Sequence, residues 1–146
     1  MLATITVTES LPASAELAWA AIRAIGGLDR WFPIIDQCLV DGEGIGATRK
    51  LVLAEGGYML DVVELLDDAA KRFGYHRVEL PFPVTDYHGT VAITAIDQHR
   101  SQIIWTVVFI MATSDDALQN FIRQALTDGI QGLAKEFQAA NQGGQS

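Results

Sequence analysis

Two charged residues in this chain sit where strand alternation puts apolar neighbours. Asp61 alternates with Val63 and Leu65 on one side of an extended run, against Val62 and Glu64 on the other. Arg77 shares parity with Tyr75 in a second run, and Tyr87 follows in a third. A carboxylate or guanidinium on the dry side of a sheet is costly unless it is paired or touches a ligand. Arginine suits two-pronged recognition of a carboxylate, and aspartate suits a hydroxyl or amine. Three roles are open to Asp61 and Arg77: a neutralised pair lining a cavity, a device that orients a ligand, or acid–base catalysis. Catalysis requires an aspartate whose pKa burial has raised, so that it can take a proton from an acidic carbon.

A second constellation is histidine-based. His76 and His88 lie at equal distances from Phe82, so a symmetric hairpin sets them opposite one another, both on the outward parity and with Asp86 on the same face. Two histidines and an aspartate are zinc-ligand types. The expected state is nevertheless a solvated surface cluster, with no metal and no cofactor, because register across Pro81-Phe82-Pro83 is uncertain. Cys38 has no activating histidine nearby in sequence and reads as a small buried hydrophobe. Gly42, Gly44 and Gly46 join two strands, so they form a hairpin turn and not a phosphate cradle. There is no GxSxG elbow and no P-loop. Of the three tryptophans, Trp31 beside Pro33 lies closest to the expected mouth of a cavity.

The elements that must position these groups are legible. Leu2 to Thr8 alternates as a strand. Pro12 and Ser14 announce a helix whose apolar face is Leu17, Ala21, Ile22 and Ile25, ended by Gly26-Gly27. Leu28 to Phe32 is a short second helical turn stopped by Pro33. Strands are then expected at Asp36 to Val40, Thr48 to Ala54, Tyr58 to Leu66, Phe73 to Leu80, Val84 to Ile96 and Gln102 to Met111. Their short connections imply an antiparallel meander. A long helix from about Asp115 to Phe137 follows, with Ser114 as N-cap. Phe121, Ala125, Gly129, Leu133 and Phe137 share one of its stripes at i, i+4 spacing. Glycine in a helix interior costs about 1 kcal/mol against alanine, so Gly129 suggests that something needs the space.

With 146 residues, 49% of them hydrophobic and 19% charged, the chain is a single globular domain over residues 1–140. A polar tail, 141–146, is expected to be disordered. A net charge of -8 argues against nucleic-acid partners and anionic membrane surfaces. One cysteine excludes an internal disulfide. Met1 to Thr8 has no apolar signal-peptide core, and the most apolar stretch, Ile103 to Ala112, is too short for a spanning helix. A cytoplasmic protein with no membrane insertion is expected.

The order of elements, together with "SLPASAELAWAAI", "LDRWFPII", "DYHGTVAI" and "IIWTVVF", resembles the helix-grip fold of the Bet v 1/START-like (SRPBCC) superfamily. The first two motifs are similar to the polyketide cyclase/dehydrase-like branch. The last two are similar to bacterial relatives of plant abscisic-acid receptors. The resemblance implies an α+β fold: a curved antiparallel sheet of six to seven strands around the long C-terminal helix, with a short helix pair after the first strand. It also implies a cavity with its mouth near Ala54 to Tyr58 and Pro81 to Val84. Alignment along it puts Asp36, Asp61, Tyr75, Arg77, Tyr87, Val108 and Ile110 on the inner face, opposed by Phe121, Ala125 and Gly129. Asp36, Asp61 and Arg77 would then form one polar network, with Tyr75 and Tyr87 as hydroxyl donors. The chain departs from the receptors where Asp36 stands in place of their ligand-anchoring lysine, and where "LAEGGYM" and "LPFPV" replace their gate and latch. Abscisic acid and phosphatase signalling are therefore not expected.

Three functions follow as expectations. The first is binding of a small, largely apolar molecule of lipid, polyketide or aromatic type. The second is a polyketide cyclase/aromatase or dehydratase-like enzyme using Asp61, Arg77 and Tyr87. The third is a ligand-dependent interaction module. Phe82, held between two prolines, is a candidate ligand lid or a contact in a homodimer.

Overall fold

Alternation builds the strands directly. In β1 (Leu2–Leu11), Ala3, Ile5 and Val7 are buried while Thr4, Thr6 and Thr8 face solvent, as in a sheet with one dry face. The computed structural model describes residues 1–143. After β1 come α1 (Ala15–Arg23), α2 (Leu28–Trp31), β2 (Ile35–Asp41), β3 (Thr48–Leu53), β4 (Tyr58–Asp67), β5 (Arg72–Glu79), β6 (Val84–Ala95), β7 (Ser101–Met111) and α3 (Asp116–Gly143). The seven strands form one antiparallel sheet in the order β1-β7-β6-β5-β4-β3-β2. β1 and β2 are opposite edges, so the helix pair carries the chain from one edge to the other. This is the expected helix-grip arrangement with its seventh strand present.

Ser14 caps α1 by accepting from the Leu17 amide at 3.2 Å. The buried face of α1 is Ala15, Ala18, Trp19 and Ile22; of the expected face Ile22 and Ile25 are buried and Ala21 half-buried, whereas Leu17 is 61% exposed. Trp19 turns its indole to Asp68 at 2.9 Å, and that bond fixes the rotation of the helix. At the start of α3 the cap is Asp115, whose carboxylate accepts from the Leu118 amide at 3.0 Å, in place of Ser114. α3 also runs past Phe137 through Asn141 to Gly143, and Asn141 donates to the Pro12 carbonyl at 2.9 Å. The first residues of the expected disordered tail are thus helical, and 144–146 lie outside the described residues.

The buried residues of α3 include Ile122, Leu126, Ile130 and Leu133; of the expected stripe Gly129 and Leu133 are buried and Ala125 and Phe137 half-buried, but Phe121 is 45% exposed. Gly129 and Gly132 set how closely the helix packs. A Cβ on Gly132 would strike the Trp31 carbonyl, and one on Gly129 would strike the Phe32 ring. The two glycines let α2 lie against α3 at backbone distance. Glu136 completes the junction by accepting from the Trp31 indole and from Arg30. Trp31 is therefore structural, and its neighbour Phe32 is the residue delivered to the interior.

Candidate functional site

The polar centre of the inner face is built on three adjacent strands. β3 brings Arg49, β4 brings Asp61 and β5 brings Arg77, with Arg49 opposite Asp61 and Asp61 opposite Arg77 in register. Arg49 donates from Nε and Nη2 to Asp61 Oδ2 at 3.0 and 2.9 Å, and from Nη1 to the Ile25 carbonyl at 2.9 Å. Arg77 donates from Nε to Asp61 Oδ1 at 2.7 Å and from Nη2 to Oδ2 at 3.1 Å. Arg49 and Asp61 are 2% and 0% exposed. Two guanidinium groups share one carboxylate, so the cluster carries one uncompensated positive charge.

The aromatic residues steady that charge. Arg77 lies over the rings of Tyr87 and Tyr75 at 4.8 and 5.2 Å, and Arg49 lies over Tyr75 at 4.9 Å. Tyr75 lies across β6 because its strand partner is Gly89, where a side chain would collide with the Tyr75 ring. The Tyr75 hydroxyl accepts from the Trp105 indole at 3.1 Å. Among the described residues, none bonds the Tyr87 hydroxyl or the remaining Arg77 nitrogen, Nη1.

Burial alone would raise the Asp61 carboxyl, but the charges and hydrogen bonds of Arg77 and Arg49 outweigh it and hold Asp61 below the usual carboxylate range. Burial, with the neighbouring Tyr75 and Asp61, pushes the Tyr87 phenol up against the opposing pull of Arg77. Arg77 is likewise raised: burial opposes its charge, and Asp61 and the two phenols overcome it. Asp61 is therefore an ionised acceptor with its oxygens occupied, Tyr87 a neutral hydroxyl and Arg77 a fixed cation. The raised aspartate that acid–base catalysis requires is not found at Asp61.

Arg77, Tyr75 and Tyr87 line a cavity between the sheet, α2 and α3, closed by Phe32, Trp105, Phe121, Ile122, Ala125 and Leu126. Its free volume is about 50 Å³, room for a few waters. A larger vestibule of about 430 Å³ adjoins it, lined by Pro33, Ile34, Leu53 to Gly56, Pro81, Phe82 and Phe121. Ile34, Phe82 and Phe121 belong to both spaces. Phe82 packs on Phe121 with ring centroids 5.6 Å apart, so the two form a partition between cavity and vestibule. Small-molecule sites run to roughly 300–1,000 Å³, so an occupant of that size needs both spaces joined.

The structure thus brings together Asp61, Tyr75, Arg77, Tyr87, Phe121 and Ala125, and leaves four expected residues elsewhere. Asp36 is exposed, because a bulge between Ile35 and Gln37 flips the alternation and turns Ile35 and half-buried Cys38 inward instead. Val108 and Ile110 face outward, because the inner residues of β7 are Ile103, Trp105, Val107 and Phe109. Polar Gln102 and Thr106 share parity with Val108 and Ile110, the available sign of the outer face. Gly129 contacts Phe32 and does not line the cavity. Sequence reasoning missed Arg49, although Arg49 alternates with Ala47 and Leu51 against Thr48 and Lys50; it also missed Phe32 and Trp105. Burial raises the Cys38 thiol, in keeping with an unreactive side chain.

A twisted antiparallel sheet gripping a long helix, with a charged and aromatic cavity between them, defines a helix-grip fold. The chain belongs to the polyketide cyclase/dehydrase and lipid transport family, which matches residues 3–138. An uncharacterised protein of Bacillus thuringiensis is similar in structure, with 26% identity, 92% of this chain and 98% of that one covered, and a TM-score of 0.82. The Zhui aromatase/cyclase of Streptomyces sp. R1128 aligns at 18% identity over 94% of each chain with a TM-score of 0.82. Norcoclaurine synthase of Thalictrum flavum, solved with dopamine and hydroxybenzaldehyde, aligns at 16% identity, covering 92% of this chain and 86% of that one, with a TM-score of 0.75. The last two likenesses are of fold. No curated protein is detectably similar in sequence. Among the described residues, no helix is long and apolar enough to cross a membrane.

Proposed function

We propose that the chain binds a small, largely apolar molecule with an acidic or strongly hydrogen-bond-accepting head. The head lies against Arg77 and Tyr87, and the body leaves between Phe82 and Phe121 into the vestibule. The observation that carries this reading is Arg77. It lines the cavity with Nη1 unpaired among the described residues, in a cluster with one positive charge to spare. A cation enclosed by low-dielectric walls favours an anion more than any neutral group there would. The apolar lining and the membership of a family that includes lipid transport support an apolar body.

A cyclase reading draws support from the same two groups, since Arg77 and the Tyr87 hydroxyl are suited to hold a developing enolate. In that reading Asp61 positions Arg77 and moves no proton, and the proton acceptor belongs to the substrate or to water.

The test is a stability screen with fatty acids and aromatic carboxylic acids, each beside its neutral methyl ester. A ligand at 100 times its dissociation constant adds about 2.7 kcal/mol of stability. Acids are expected to bind more tightly than their esters in the native chain and equally in Arg77→Met. Esters that bind as well as acids would overturn the reading. Mass spectrometry of the recovered ligand separates binding (unchanged) from cyclase chemistry (altered).

A further inference from the structure

The outer face of the same wall holds a second group of converging side chains. His76 on β5 and His88 on β6 are direct cross-strand partners, and their rings stack at 4.3 Å with planes 10° apart. Glu64 on β4 reaches them from the third strand, with Oε1 2.7 Å from His88 Nδ1. One ligand atom from each of the three lies within 4.8 Å of the others. We propose that Glu64, His76 and His88 bind a divalent transition-metal cation of the zinc type.

Several features separate this trio from scattered surface charge. Glu64 is the extra residue of a bulge in β4, where Val63 pairs with Tyr75 and Leu65 with Gly74. Bulges re-aim side chains, and this one turns Glu64 towards the histidine pair. A second irregularity, between Thr85 and His88 with Asp86 at φ 51°, lies at the near end of β6. It takes up the position where Asp86 would otherwise have continued the face, so the third donor is Glu64 instead. Cross-strand neighbours are close enough for two imidazoles to chelate. Zinc bonds of about 2.0–2.1 Å in a tetrahedral site set ligand atoms roughly 3.3 Å apart. The Glu64–His88 pair therefore opens by about half an ångström, and the His76 ring turns out of the stack, both within side-chain reach.

Two imidazoles and a carboxylate leave a fourth position for water. His88 and Glu64 are 43% and 44% exposed, so an ion arrives from solvent without any opening of the fold. A net charge of -8 favours cation uptake. The ion would tie β4, β5 and β6 together directly behind Asp61, Tyr75, Arg77 and Tyr87, since His76 lies between Tyr75 and Arg77 in the chain and His88 follows Tyr87. The proposal thus assigns the outer face a staple for the inner wall.

The experiment is calorimetric titration of the chelator-treated full chain with zinc chloride at neutral pH, beside a cobalt titration followed by visible absorption. One equivalent of zinc is expected, with a raised melting temperature. His76→Asn, His88→Asn and Glu64→Gln should each weaken binding by about tenfold or more, while Cys38→Ser leaves it unchanged. Circular dichroism checks that each variant is folded, and wild-type cobalt spectra give an answer that needs no variant. Tetrahedral cobalt bands without thiolate charge transfer are the expected result. Absence of saturable zinc binding, binding unchanged by either histidine substitution, or a thiolate band that Cys38→Ser removes would each overturn the proposal.

Discussion

The two faces of β4, β5 and β6 carry ionisable groups in similar number and treat them in opposite ways. On the inner face Asp61 makes four hydrogen bonds to two arginines and is fully buried. On the outer face Glu64 makes one contact to His88, with both side chains more than two-fifths exposed. Water supplies what the outer pair lacks, so the cost of separating it is small. No water competes for Asp61, so its bonds are both more necessary and harder to replace. The inner face can thus hold a fixed charge for a ligand, whereas the outer face can exchange its partner for an ion.

The largest effect should come from Asp61→Asn, which leaves two guanidinium groups buried without their carboxylate. Loss of one partner from such a cluster costs about 3–5 kcal/mol, to be read from urea unfolding. A loss under about 1 kcal/mol would mean that water reaches the centre and that the two faces differ less than described.

Arg77→Met comes next. Asp61 keeps Arg49 as a one-to-one partner, so the stability cost should be nearer 1–3 kcal/mol, roughly that of a charged hydrogen bond. The same change should lower affinity for acidic ligands by roughly 10- to 100-fold, while neutral analogues lose little. Equal losses for both would assign Arg77 to packing alone.

The pH dependence separates the faces in a third way. Asp61 is held below its ordinary value, so its contribution is intact above an unfolded-state pKa of about 3.9 and is lost as pH falls through the lower folded value. Acid unfolding of the native chain should steepen only below about pH 4, and Asp61→Asn should flatten that limb. The exposed carboxylates Asp68 and Asp97 shift the same way, but their solvent-screened pairs contribute little. A limb unchanged by Asp61→Asn would transfer the acid sensitivity to the surface.

The smallest effect should be Glu64→Gln with chelator present, under about 1 kcal/mol. A larger loss in the metal-free chain would make Glu64 part of the wall in its own right and narrow the contrast between the faces.

Much of this molecule is written locally. Alternation located every strand to within a few residues, Gly26-Gly27 and Pro33 bounded the helix pair, parity put Asp61 inward, and equal spacing about Phe82 put His76 opposite His88. These signals need only a residue and its neighbours two to four positions away. The resemblance places Val108 and Ile110 inward, but in the nearly continuous apolar run of β7 only the parity of Gln102 and Thr106 marks their face as the outer one. A single extra residue at Asp36 reversed the alternation of β2, and another at Glu64 chose the third member of the histidine cluster. A bulge is a relation between two strands, and its position depends on register that neither strand encodes alone. The same holds for Arg49, a charged residue in an alternating run until Asp61 pairs beside it, and for Gly129, whose vacant side is filled by Phe32. The order of elements and the polarity of each face were thus properties of the chain. Which charges meet, and which space stays open between sheet and helix, came from packing, because burial gives an ion pair and a missing Cβ their consequences.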